Sequence, residues 1–193
     1  MILKKKEFYA NGGITCTGGE PLMQIDFLTE LFERCHEEGI HTCLDSSGIM
    51  FNEAQMDKYD RLMKVTDLVM LDIKHIDPEV HQELVKQPNN KILEFARYLD
   101  KKHIPLWIRH VLVPGVTDKE EHLVRLGEFL AELSNLQALD VLPYHTMGVV
   151  KYQNLGMEYK LKDVPAMDPK VALEKKQVIL NGIKKRREER RDS

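Results

Sequence analysis

Short apolar runs alternate along the chain with longer stretches of helical period. The first run, Gly12 to Cys16, breaks at Thr17-Gly18-Gly19-Glu20-Pro21. Beyond it Phe27, Leu28, Leu31, Phe32 and Cys35 recur at helix spacing, and Gly39 reads as a left-handed stop. His41 to Leu44 is a second run, ended by Asp45-Ser46-Ser47-Gly48 and followed by a stripe of Met56, Tyr59, Leu62 and Met63. The third, Asp67 to Leu71, enters Asp72-Ile73-Lys74, and a helix carrying Ile92, Leu93, Phe95, Ala96 and Leu99 comes behind it. Pro105 to Val113 is the fourth run, closed by Pro114-Gly115. Thr117 and Glu120 have the spacing of a capping box for a helix striped by Leu123, Leu126, Leu130 and Leu133. The fifth, Leu139 to Leu142, ends at Pro143-Tyr144-His145, and a charged helix starts near Pro169. Successive run midpoints lie roughly 27 to 40 residues apart, the length of a parallel β-α unit. The pattern predicts an α/β fold with about five parallel strands.

In such folds reactive groups gather where strands meet the loops that follow them. Those positions hold Gly18, Gly19, Glu20, Asp45, Ser46, Asp72, Lys74, Arg109 and His145. The two glycines leave bare backbone that a ligand can approach closely, although a plain strand-to-helix turn explains them as well. Asp72 and Lys74 share a face of an extended segment. They read either as a pair that grips a zwitterion, Lys74 toward a carboxylate and Asp72 toward an ammonium or small cation, or as an ion pair between themselves. Arg109, inside Leu106-Trp107-Ile108-Arg109-His110-Val111, needs a buried carboxylate such as Asp45 or Asp72, or a ligand oxygen.

Composition narrows the class. The 193 residues suit one domain able to bury a core without staples, with 42% apolar and 31% charged residues. Basic and acidic side chains number 28 and 31, for a net charge of -3, so no overall field favours nucleic acid or a membrane surface. No apolar run approaches the roughly 20 residues of a membrane helix, and the start has no stretch resembling a signal peptide, which points to the cytoplasm. The three cysteines, Cys16, Cys35 and Cys43, lie on separate predicted elements, which favours packing over a metal cage. The HExxH, phosphate-loop, GxGxxG and GxSxG signatures are absent. The terminal run Lys184 to Arg191 mixes charge signs as a solvated helix end does.

Five segments taken together, Thr17 to Leu22, Cys43 to Gly48, Leu68 to Lys74, Trp107 to Asp118 and Leu142 to His145, resemble the pyruvate formate-lyase activating enzymes of the radical S-adenosylmethionine superfamily. The likeness runs in order from about Gly12 to about Leu161. It implies a partial (β/α)6 TIM-like barrel with S-adenosylmethionine at its mouth. Gly18, Gly19 and Glu20 match the contact to the methionine amino group. Asp45, Ser46, Asp72 and Lys74 match the surroundings of its carboxylate, where a small cation can also sit near Asp45 and Asp72. Arg109, Val111 and His145 match positions near ribose and adenine. The implied reaction starts with one electron from a [4Fe–4S] cluster and yields a 5′-deoxyadenosyl radical. That radical takes a hydrogen atom from a glycine of pyruvate formate-lyase in anaerobic metabolism. The implied partners are that enzyme and an electron donor such as flavodoxin or ferredoxin, with the segments near Asp72 to Lys74 and Tyr144 to His145 facing the glycine.

The sequence departs from the family in having no CxxxCxxC segment. Cluster ligands are therefore expected to be missing along with the first strand, leaving an incomplete barrel over residues 1–167 and a charged helix and tail over 168–193. The chain alone is expected to be inactive, and the strand at Gly12 to Cys16 to be an edge partly covered by Lys4 to Tyr9. Three other readings are an activase of a different glycyl-radical enzyme, a non-catalytic module that docks a partner, and a phosphate-handling barrel. The last is disfavoured because no glycine-rich loop follows the final strands.

Overall fold

The computed structural model describes residues 12–147, 156, 161 and 163–192; the Lys4 to Tyr9 leader lies outside them. Five strands, β1 (Gly13–Cys16), β2 (His41–Ser46), β3 (Leu68–Asp72), β4 (Leu106–Leu112) and β5 (Leu136–Pro143), form one parallel sheet in sequential order. Between and after them come α1 (Ile25–Glu37), α2 (Met56–Met63), α3 (Pro78–Val85), α4 (Asn90–Lys101), α5 (Glu120–Leu130) and α6 (Pro169–Glu189). The predicted α/β pattern of five parallel strands is the observed one. Parallel crossovers are right-handed, so strands that follow one another in space as in sequence send every helix to the same side. One face of the sheet is covered and the other is open.

Side-chain alternation records that asymmetry. In β4, Leu106, Ile108, His110 and Leu112 are buried, whereas the intervening Trp107 is 40% exposed and Arg109 and Val111 are half-buried. The covered side joins Leu44, Val69, Leu71 and Ile108 to Phe32, Leu62, Phe95 and Leu126 from the helices. An aromatic group anchors the loop after β2. Phe51 lies edge-on to Tyr59 at 5.0 Å and beside Tyr98 at 5.2 Å, and the Tyr59 hydroxyl donates to the Met50 carbonyl at 2.7 Å.

Helix boundaries follow local chemistry with one correction. Gly39, at φ 67°, closes α1 and donates to the His36 carbonyl, as expected. The Thr117–Glu120 capping box does not form. Lys119 stands at the N-cap of α5 without a side-chain bond. The Pro114-Gly115 turn instead folds Thr117 back onto the end of β4, where its hydroxyl donates to the Val111 carbonyl and accepts the Val113 N–H, both at 2.7 Å. The orphan backbone groups of the strand end have taken the hydroxyl. Helix α3 was not expected from periodicity, yet Asp77 caps it by accepting from the N–H groups of Glu79 and Val80, with Pro78 in its first turn.

The C-terminal helix α6 packs on α5 by backbone contact. A Cβ on Gly127 would collide with the Ile179 carbonyl and stand 3.0 Å from the Gly182 Cα. Ala172, Ile179 and Ile183 of α6 are buried, while 184–192 are exposed. Among the described residues, no helix is long and apolar enough to cross a membrane.

Candidate functional site

All five strands point the same way, so their carboxyl ends share one rim. At the end of β1, Gly18 has φ 134°, a conformation that L side chains rarely adopt. No atom lies within 4 Å of where a Cβ would stand on Gly18 or Gly19. Bare peptide therefore faces open space at this corner.

Glu20 ties that corner to the end of β2. Its Oε1 accepts from the Leu22 N–H at 3.1 Å and the Ser46 hydroxyl at 2.7 Å. Its Oε2 accepts from the Ser47 N–H at 3.0 Å and the Ser47 hydroxyl at 2.6 Å. A carboxylate has about four lone-pair sites, and these donors occupy them. The Thr17 hydroxyl adds a second tie by donating to Asp45 Oδ2 at 3.1 Å.

A row of alternating charge crosses the open face beside it. Arg109 grips Asp45 with both terminal nitrogens, at 2.5 and 3.1 Å, and its Nε donates to Asp72 Oδ1 at 2.8 Å. Lys74 Nζ donates to the other Asp72 oxygen at 2.8 Å. Side-chain exposures of 23% for Arg109, 15% for Asp45 and 20% for Asp72 mean that water screens these pairs only partly. Burial pushes the Asp72 carboxyl up, but the Lys74 ammonium and the Arg109 guanidinium outweigh it and hold the group below the usual carboxylate range. Burial disfavours the Arg109 cation, and the bonds and charges of Asp72 and Asp45 more than reverse this.

The covered side fixes the segment that presents Asp72 and Lys74. Between them, Ile73 donates its N–H to the Arg109 carbonyl at 3.0 Å, and its own carbonyl accepts from His110 Nδ1 at 2.7 Å. Asn89 donates to the carbonyls of His75 and Ile76. His75 accepts the Asp77 N–H at its Nδ1, and its ring packs edge-on to His122 at 4.5 Å. Burial, more than the nearby His122 and His110, pushes His75 down to about 4.

The sequence-derived residues thus come together for the most part. Gly18, Gly19, Glu20, Asp45, Ser46, Asp72, Lys74 and Arg109 line one continuous stretch of rim. Val111 shares the open face with Arg109, and His145 is exposed two residues past β5. Next to it, Tyr144 is buried and extends the ladder by donating its N–H to the Leu112 carbonyl at 3.0 Å. Sequence reasoning left out the hydroxyls of Thr17 and Ser47, whose place next to Gly18 and Ser46 in the sequence was their only signal. It also left out Asp140, the β5 register partner of Arg109.

The chemistry of this donor set distinguishes two groups. Bare peptide, carboxylates and cations on one partly buried rim fit a zwitterion such as S-adenosylmethionine. The three thiols do not fit an iron–sulfur cluster. Cys43 pairs in register with Thr15 on the open face, whereas Cys16, one residue along β1, turns to the covered face with Cys35 of α1. Burial raises all three thiols and favours their protonated form. No group of three potential metal ligands occurs among the described residues.

An open, singly wound parallel sheet with a polar carboxyl rim is the architecture of the radical SAM superfamily, whose sequence profile matches residues 1–127. Pyruvate formate-lyase-activating enzymes are similar over most of the chain. The Listeria monocytogenes protein is 49% identical over 173 residues, covering 88% of this chain and 70% of its own length. That of Staphylococcus epidermidis is 46% identical over 177 residues, covering 90% and 70%. The crystal structure of a domain of pyruvate-formate lyase-activating enzyme from Bacteroides vulgatus superposes with a TM-score of 0.70 at 28% identity, over 89% of this chain and 94% of that one. Streptococcus suis SuiB bound to S-adenosylmethionine shares the fold, with a TM-score of 0.66 at 19% identity over 96% of this chain and 38% of its own. The chain belongs to the pyruvate formate-lyase-activating enzyme family of the radical SAM superfamily.

Proposed function

We propose that the rim binds S-adenosylmethionine and that the chain serves the activation of pyruvate formate-lyase by carrying the cofactor-binding part of an activase. The observation that supports this most directly is the row Asp45–Arg109–Asp72–Lys74 beside the bare Gly18-Gly19 backbone, with both ends of a zwitterion catered for within one surface. In this reading the Gly18 and Gly19 carbonyls receive the methionine ammonium. Glu20, whose acceptor sites are already filled, holds that loop and Ser46 in place. Lys74 turns from Asp72 to the methionine carboxylate, and Arg109, Val111 and His145 border the nucleoside. A small cation between Asp45 and Asp72 requires Arg109 to release one of them.

Once reduced by one electron from an external donor, a bound sulfonium cofactor would supply the chemistry that removes a hydrogen atom from a peptide glycine. The chain's own contribution is to orient the ligand and to keep water from the open face once a glycine-bearing segment of pyruvate formate-lyase covers it. The electron, delivered by a carrier such as flavodoxin or ferredoxin, depends on residues other than Cys16, Cys35 and Cys43. These 193 residues alone are therefore inactive.

Ligand-observed NMR with S-adenosylmethionine, which detects dissociation constants into the millimolar range, tests the reading. Saturable binding that weakens in Asp72→Ala and Lys74→Ala is expected. No saturable binding to the unaltered chain, or equal binding in both variants, would discard it.

A further inference from the structure

We propose that Asp140 is a specificity-determining residue of the rim, the carboxylate that makes the site prefer a sulfonium to the neutral thioether it becomes. The inference rests on the S-adenosylmethionine reading above. It starts from the sheet. Between β4 and β5 the register shifts after Leu106: Leu106 pairs with Leu136 but Trp107 with Ala138, so Gln137 is passed over. The extra residue places Asp140, not Leu139, opposite Arg109. Neighbouring strands lie about 4.8 Å apart, and partners in register share a face, so Asp140 stands beside Arg109 on the open side, on the flank opposite to the guanidinium, which reaches over β3 to β2. It is exposed, and among the described residues its carboxylate makes neither a hydrogen bond nor an ion pair. Leu139 and Val141, its neighbours in sequence, pack against the core on the covered side.

Charge balance indicates what Asp140 does. Arg109 and Lys74 are both engaged by Asp45 and Asp72, two cations against two carboxylates. Asp140 adds a carboxylate without a counter-charge. Glu20, at the other end of the rim, is satisfied by neutral donors. S-adenosylmethionine carries an ammonium, a sulfonium and a carboxylate, for one net positive charge, whereas S-adenosylhomocysteine keeps the same outline and is neutral overall. A lone carboxylate at the edge of a partly desolvated site favours the first by charge alone. Its distance from the Gly18-Gly19 corner also sets it apart from the groups that hold the amino acid end.

The test is the ratio of two dissociation constants, measured by ligand-observed NMR or calorimetry on the 193-residue chain with S-adenosylmethionine and S-adenosylhomocysteine. In the unaltered chain the sulfonium should be preferred by about three- to tenfold at low salt, and by less at high salt. Asp140→Asn should bring the ratio to about one while changing affinity for the thioether by less than about twofold; Asp140→Glu should keep the preference. A structural role for Asp140 would weaken both ligands together. An unchanged ratio in Asp140→Asn, or equal loss for both ligands, overturns this inference alone. Absence of binding by either ligand to the unaltered chain overturns the functional reading and this inference with it.

Discussion

Asp72 and Arg109 are register partners on adjacent parallel strands, and the Arg109 Nε donates to the Asp72 carboxylate at 2.8 Å while the rest of the guanidinium reaches past β3 to Asp45 on β2. One side chain thereby joins three strands at the rim. Without it, two partly buried carboxylates would face each other, so the pairing serves the fold whether or not a ligand is present.

Arg109→Met should therefore destabilise the protein by about 2 kcal/mol at pH 7, because it leaves Asp45 without its counter-charge and Asp72 with Lys74 alone. The loss should shrink on mild acidification as one carboxyl takes up a proton. Urea unfolding of both proteins at pH 7 and pH 5 measures this; a deficit that does not change with pH would mean that lost packing, not charge, is responsible.

Glu20→Gln replaces two acceptor oxygens by one and turns an amide toward the Ser47 hydroxyl and N–H, or toward Ser46 and Leu22. Loosening of the glycine corner should weaken S-adenosylmethionine binding about tenfold with a drop of only a few degrees in Tm, since the tie is at a loop. Comparable binding in Glu20→Gln would show that the corner is held by Thr17 and Asp45 instead.

His75 links acidity to stability. Its folded value of about 4 lies below its ordinary value of 6.5, so the unfolded chain binds more protons between the two. Its contribution is intact above pH 6.5 and is lost as pH falls from 6.5 toward 4. Asp72, also depressed, adds a second loss only below about pH 3.9, its ordinary range. Chemical denaturation across pH 7 to 4 should show the first slope. It should be shallower in His75→Asn, whose amide oxygen can still accept the Asp77 N–H.

Gly127→Ala should cost about 2 kcal/mol, because its methyl group meets the Ile179 carbonyl and parts α5 from α6. Glu128→Ala, the exposed neighbour in the same helix, is the control. Similar melting of the two variants would mean that the helices can separate at little cost.

The architecture was legible because parallel strands covered by helices leave apolar runs at intervals set by the length of a crossover, a constraint local enough to read by counting. The same counting put Glu20, Asp45 and Asp72 at or just past strand ends, but it misplaced Arg109, which lies in the middle of β4 and reaches the rim only because it is level with Asp72 at the end of the shorter β3. It failed at Thr117, where the choice between capping a helix and closing a strand end depended on a turn that brought the hydroxyl back to β4.

What the chain determines by itself is the order of elements, the rim to which its polar groups belong and the alternation within each strand. Which residues meet across strands is decided only by tertiary structure. Unshifted, the spacing from Leu106 and Leu136 would set Arg109 opposite Leu139 and turn Asp140 to the helices. One residue passed over at Gln137 reverses both, and it does so because register is an agreement between two strands, visible in neither of them alone.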